Sequence, residues 1–109
     1  MKIEIAEHKG VKVFGLSGDI DMYSSPALRK ELMSLVREKV PMIFIDFRNV
    51  SYIDSSGIAT LVEGLKGMMD HGGKLKLLGI PERIAGIFSF SKLDKVFDIC
   101  VGLDDAFEG

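Results

Sequence analysis

The chain has 109 residues, 47% of them hydrophobic, which predicts one compact domain over residues 1–109 with enough apolar material for a core. Charged residues make up 28% and the formal net charge is -2, a balance that excludes the basic footprint of a nucleic-acid binder and a polybasic membrane segment. No apolar run approaches the roughly 20 residues needed to span a bilayer, and the opening residues alternate instead of forming a basic and then apolar leader, so the expected location is cytoplasmic and the expected partner is protein.

From Met1 to Glu7 the residues alternate, with Ile3 and Ile5 on one face and Lys2 and Glu4 on the other, before a turn at His8-Lys9-Gly10 and a second run, Val11 to Leu16. That pattern predicts an opening β-hairpin. His8 and His71 are the only histidines, too few to build a metal site, and no metal or other cofactor is expected. Ser17 to Tyr23 reads as a loop whose glycine and aspartates suit an irregular connection. Asp19 and Asp21 are a carboxylate pair, yet acid-base chemistry or a divalent ion needs further convergent ligands that the neighbouring sequence does not supply.

Ser25-Pro26 predicts a helix start, with the hydroxyl as cap and the proline where its missing N–H costs nothing. Leu28, Leu32, Leu35 and Val36 form its buried stripe; Arg29, Lys30, Arg37 and Glu38 face water. Pro41 closes this helix. Ile43 to Phe47 is nearly all apolar and β-favouring, as a strand covered on both faces would be, and Arg48 to Tyr52 reads as a short turn. Asp54, Ser55 and Ser56 then open a second helix, running from about Ser55 to His71 and stopped by Gly72-Gly73. Its apolar stripe is Ile58, Leu61, Val62, Leu65 and Met69. Gly57, Gly64 and Gly67 lie inside it, each costing about 1 kcal/mol relative to alanine, so something approaches the backbone closely, either a neighbouring element or a docked partner. Thr60, Glu63 and Gly64 fall on the side away from the Leu61–Leu65 stripe and are candidates for a contact face.

Lys74 to Leu78 is the next strand, and Gly79-Ile80-Pro81 turns into a short helix with Ile84, Ile87 and Phe88 inward, an apolar patch that Phe90 and Leu93 continue. Val96 to Cys100 is the last strand and Asp104 to Phe107 a brief terminal helix. Cys100 has no partner for an internal disulfide, and apolar Ile99 and Val101 beside it favour a buried thiol. Strands separated by single helices predict an α/β fold, a mixed central sheet of about five strands with about four helices mostly on one face. In such a sheet sites gather where strand C-termini meet helix N-termini, which is where Asp54–Gly57 falls.

Three uses of that loop compete. Nucleophilic catalysis would exploit a serine on a strand-to-helix turn, but Gly-x-Ser-x-Gly is absent and the motif places neither histidine as a base. Anion or nucleotide binding would use the helix N–H groups, but the Gly-x-x-x-x-Gly-Lys-Ser/Thr pattern is missing and Asp54 repels phosphate. A phosphorylation-controlled protein surface needs only an exposed hydroxyl and complementary contacts.

Val50-Ser51-Tyr52-Ile53-Asp54-Ser55-Ser56-Gly57-Ile58, followed by Ala59-Thr60-Leu61, resembles the signature of the STAS domain, specifically the stand-alone bacterial anti-sigma factor antagonists. Gly18-Asp19-Ile20-Asp21, Gly72-Gly73-Lys74-Leu75 and Leu93-Asp94-Lys95-Val96-Phe97 resemble family landmarks in the expected order, so the resemblance covers essentially the whole chain. It implies a single STAS-like domain that is not an enzyme, with Ser55 as the phosphorylation site. The implied partner surface joins Asp21, Asp54, Ser56 and Gly57 to Thr60, Glu63 and Gly64. The implied partners are an anti-sigma factor that is itself a serine kinase and a metal-dependent serine phosphatase, to which ATP and the metal ion belong. Binding in the unphosphorylated state would release a sigma factor. The related alternative is a scaffold module of a stress-signalling complex, or a lipid-trafficking accessory domain of the same fold.

Overall fold

A computed structural model describes residues 1–108. The elements in order are β1 (Lys2–His8), β2 (Val11–Ile20), α1 (Ser25–Arg37), β3 (Met42–Ile53), α2 (Ser55–Asp70), β4 (Lys74–Leu78), α3 (Glu82–Phe90), a 3-10 turn (Leu93–Lys95), β5 (Asp98–Cys100) and α4 (Leu103–Glu108). The strands lie side by side in sequence order, β1 antiparallel to β2 and every later neighbour parallel. A parallel neighbour needs a crossover, and α1, α2 and α3 supply the three required. This is the mixed five-strand sheet with four helices that the alternation of patterns predicts.

Alternation along the strands divides the core between the two sheet faces. Phe14, Leu16, Ile43, Ile45, Phe47, Leu75 and Leu77 pack with Leu28, Leu32 and Leu35 of α1, Leu61, Leu65 and Met68 of α2, and Ile84 and Phe88 of α3. On the opposite face Val13, Phe44 and Leu78 are covered by Ala106, with Leu103 and Phe107 of α4 against them. The Phe107 ring meets Phe44 edge-on at 5.0 Å. Three helices therefore share one face and α4 holds the other. No helix among the described residues is long and apolar enough to cross a membrane.

Several local expectations are corrected. The stretch read as a turn, Arg48 to Tyr52, is strand, and so is Ser17 to Ile20, because the two segments remain hydrogen-bonded neighbours: Ser17 pairs with Asn49, Gly18 with Val50, Asp19 with Tyr52 and Ile20 with Ile53. Register shifts between Gly15 and Ser17 and between Gly18 and Asp19 insert unpaired residues, so Phe47, Val50 and Ile53 are buried at every third position and the strand period is hidden. Ser25 is not the α1 cap; it is buried within the helix, and Ser24 occupies the cap position. In α2 Met68, not Met69, faces the core, and Met69 is exposed. Phe90 is 91% exposed, since it ends a helix whose inward pair, Ile84 and Phe88, already completes the contact; Ile87 is also partly outside. Val96 lies outside the last strand and is exposed.

Cys100 is half-buried against the second cluster, and that burial pushes its thiol pKa up. Its neighbours Ile99 and Val101 are exposed: adjacent strand residues point to opposite faces, so they do not bury the thiol. Lys76 is 1% exposed, where its charge predicts a surface position. Its Nζ donates to the Ala106 carbonyl at 2.8 Å and lies 3.6 Å from the Asp98 carboxylate, fastening α4 across β4 and β5.

Candidate functional site

The ends of β2 and β3 are tied together where the Asp54 N–H donates to the Ile20 carbonyl at 3.0 Å. Asp21 and Ser55, each one residue beyond this bond, are thereby brought to one corner of the molecule. Asp54 is in extended conformation (φ -106°, ψ -173°), and its Oδ1 accepts from the N–H groups of Ser56 at 2.9 Å and Gly57 at 3.2 Å. The aspartate is therefore the cap of α2 and satisfies two of the N–H groups that have no partner inside the helix. Both serines are released from capping. The Ser55 side chain is exposed, and among the described residues its hydroxyl makes no hydrogen bond, whereas Ser56 is half-buried and its carbonyl accepts from Thr60 Oγ1 at 3.0 Å.

Gly57 has no Cβ because there is no space for one: it would stand 2.7 Å from Ile53 Cγ1 and 2.8 Å from Ile20 Cγ2. Its role is to let the first turn of α2 press on the strand ends and so aim Ser55 outward; it is buried, not an exposed contact. The expected contact face of Thr60, Glu63 and Gly64 is corrected in the same way. Thr60 and Gly64 are buried, and a Cβ on Gly64 would overlap the Leu32 side chain, 2.9 Å from its Cγ. Glu63 is paired bidentately with Arg29 of α1, at 2.7 Å for each bond, and its carboxyl is held below the ordinary range by that hydrogen bonding. The side turned away from the sheet stripe faces α1. Gly67 follows suit, with Val36 where its Cβ would be.

Asp21 builds the neighbouring turn. Its Oδ1 accepts from the N–H groups of Tyr23 and Ser24, each at 3.0 Å, while Ser24 Oγ accepts from the Asp21 N–H and donates to the Asp19 carbonyl, each at 2.9 Å. The Ser24 N–H, foremost among these, holds the Asp21 carboxyl below its ordinary value of 3.8. Asp19 takes no part through its carboxylate in any hydrogen bond among the described residues.

Neither histidine reaches this corner. His8 pairs with Val11 at the start of β2, and His71 Nε2 lies 2.8 Å from the Val40 carbonyl just before β3, both at the far end of the sheet. Among the described residues no group of three or more His, Cys, Asp and Glu could hold a metal ion. What the sequence reading missed is apolar: Met22, Tyr23 and Tyr52, on the two segments joined by the Asp54 N–H to Ile20 carbonyl bond, are 62%, 88% and 52% exposed. Met22 and Tyr23 are adjacent in a turn and follow neither helical nor strand period, and Tyr52 lies where the irregular pairing of β3 hides the strand period, so no pattern distinguishes them.

Over 99 residues the chain is 30% identical to the anti-sigma-B factor antagonist of Bacillus subtilis (strain 168), covering 91% of this chain and 90% of that protein. The crystal structure of an anti-sigma factor antagonist from Mycobacterium paratuberculosis superposes with a TM-score of 0.84 at 27% identity, covering 98% of this chain and 91% of the other. The Bacillus cell fate determinant SpoIIAA in its phosphorylated form superposes with a TM-score of 0.78 at 19% identity, covering 98% and 97%, a likeness of fold. A STAS domain family model matches residues 2–106, so this chain belongs to the STAS domain family.

Proposed function

We propose that this protein is an anti-sigma factor antagonist: unphosphorylated, it binds an anti-sigma factor through the corner around Ser55 and releases a sigma factor, and phosphorylation of Ser55 ends the binding. The observation that carries the reading is the division of labour at the head of α2. Asp54 satisfies the N–H groups of Ser56 and Gly57, which leaves the Ser55 hydroxyl exposed and free to be modified without breaking the helix start. The names of the relatives support the same partner class. A serine kinase and a serine phosphatase act on Ser55 as partners, and the nucleotide and metal ion belong to them. The protein itself is a binding protein of the cytoplasm; a hydrolytic use of Ser55 would need a base, and both histidines stand at the other end of the sheet.

Phosphate at Ser55 switches binding while sparing the fold. It adds about -1.5 to -2 charges at neutral pH. At the helix N-terminus the backbone dipole favours negative charge by about 0.3–1 kcal/mol, which offsets part of the repulsion from Asp54. In an interface the same group loses water, and a penalty of about 4 kcal/mol for an unpaired charge weakens binding about a thousandfold.

The test is a pull-down from the native cell with wild type, Ser55→Ala and Ser55→Asp, followed by phosphosite mapping by mass spectrometry. An anti-sigma factor is expected with wild type and Ser55→Ala and lost with Ser55→Asp, and phosphate is expected on Ser55 alone. Phosphate on Ser56, or equal capture by all three forms, would overturn the proposal.

A further inference from the structure

The corner that carries Ser55 exposes more apolar surface than the fold requires. A single exposed tyrosine needs no explanation, but Met22 and Tyr23 follow Ile20 by two and three residues, Tyr52 precedes Asp54 by two, and the Asp54 N–H to Ile20 carbonyl bond holds the two segments together. The turn bearing Tyr23 is also rigidly built. Asp21 Oδ1 receives the Tyr23 and Ser24 N–H groups, Ser24 Oγ bridges Asp21 N–H and the Asp19 carbonyl, and the Ser25 N–H donates to the Asp21 carbonyl at 2.8 Å. Its polar groups are spent on the turn, while its two large side chains are spent on nothing inside the domain. An ordered backbone presenting an exposed aromatic loses little freedom on docking, and tyrosine is among the residues that dominate protein interfaces.

We infer that Tyr23, flanked by Met22 and Tyr52, is the apolar anchor by which the anti-sigma factor seats beside Ser55, and that Asp21 is a positioning residue that fixes the turn. This rests on the functional reading given above. It explains how a phosphate on Ser55 blocks docking: the charge arrives at the edge of a patch that must lose water.

The experiment is calorimetric titration of the purified anti-sigma factor kinase of the same genome into wild type, Tyr23→Ala, Tyr23→Phe, Asp21→Ala, Asp21→Asn and Phe90→Ala. Tyr23→Ala is expected to weaken binding by about 30-fold with an unchanged melting temperature, since the side chain is 88% exposed. Phe90→Ala, which removes an equally exposed aromatic at the end of α3, and Tyr23→Phe, which keeps the ring, are expected to stay within about threefold of wild type, as is Asp21→Asn, which keeps the acceptor oxygen. Asp21→Ala is expected to lose about tenfold, and less than that when Tyr23 is already alanine, because both changes remove one contact. If wild type binds and is released by Ser55 phosphorylation while Tyr23→Ala binds equally well, the functional reading stands and the anchor is overturned. If wild type forms no complex, the reading falls and the anchor with it. A wild-type dimer in light scattering that Tyr23→Ala dissolves would assign the patch to a second copy and overturn the inference too.

Discussion

Gly64→Ala tests the approach of α1 to α2 with one added carbon. Alanine is the better helix former by about 1 kcal/mol, so propensity alone predicts stabilisation. Against it stands Leu32: the new Cβ would overlap its Cδ2 and lie 2.9 Å from its Cγ, whereas carbon atoms rest at about 3.5–4.0 Å. Rotating the leucine about its outer bond moves the methyls but not Cγ, and Leu32 is completely buried, so α1 itself must shift. Overpacking of this kind costs about 1–3 kcal/mol, and the shift also disturbs the Arg29–Glu63 pair between the same helices. With the overlap centred on a branch point, the upper part of that range applies, and the expected net loss is about 1–2 kcal/mol, or about 4–8 °C in melting temperature for a domain of this size. Gly86→Ala is the control, since Gly86 lies inside α3 with nothing within 4 Å of an added Cβ. It carries the same propensity gain without the clash and is expected to raise stability by about 0.5–1 kcal/mol. Thermal melts and urea midpoints on the three proteins give both numbers. A Gly64→Ala protein that melted as high as Gly86→Ala would refute the packing argument and return Gly64 to the set of residues free to receive a partner.

Asp54→Ala removes the α2 cap and is expected to cost about 1 kcal/mol, with Asp54→Asn losing much less; equal urea midpoints for wild type and alanine would show that the cap contributes nothing. The folded-state pKa values of Asp21 and Glu63 lie below their ordinary 3.8 and 4.5, so both contribute stability that is present above those ordinary values and lost as pH falls through the folded ones. Asp21→Asn combined with Glu63→Gln is therefore expected to flatten the decline of the urea midpoint below about pH 4.5, and a slope identical to wild type would contradict it. Lys76→Met leaves the Ala106 carbonyl without its donor, which costs about 1–3 kcal/mol, and is expected to loosen α4, so that alkylation of Cys100 beneath it accelerates several-fold. An unchanged alkylation rate would mean that Lys76 does not hold the helix.

Much of the site was legible before any coordinates, because its signals are local. An aspartate two and three residues ahead of N–H groups that a helix start leaves unpaired is a cap wherever it occurs, and Asp54 followed by two serines marks the head of α2 by chemistry alone. The α1 stripe of Leu28, Leu32 and Leu35 is equally self-contained, since helical spacing on one side and charge on the other need no knowledge of what covers them. The same holds for the order of strands and single helices, and hence for the mixed sheet.

Other features depend on residues far apart in sequence. The length of β3 was hidden because shifts in its pairing with β2 changed the spacing of buried residues, and pairing register is a property of two strands, not of one. The face of α2 bearing Thr60 and Gly64 was misread because a helix covered by one layer shows one apolar stripe, whereas α2 is covered by the sheet and by α1, and glycine and threonine fill the second contact without announcing it as hydrophobic. Lys76 was unreadable as a core residue because its charge becomes tolerable only where the Ala106 carbonyl, thirty residues later, comes to receive it. The sequence by itself determined the order of strands and helices, the α1 stripe and the place of Asp54, Ser55 and Ser56 at the head of α2; the hydrogen bonds of the fold decided that Asp54 is the cap. Only tertiary structure decided which faces remain open, because exposure is set by what packs from elsewhere in the chain: α1 closed the side of α2 first read as a contact face, and the meeting of β2 with β3 brought the turn after Ile20, which carries Tyr23, to the strand end that leads into Ser55.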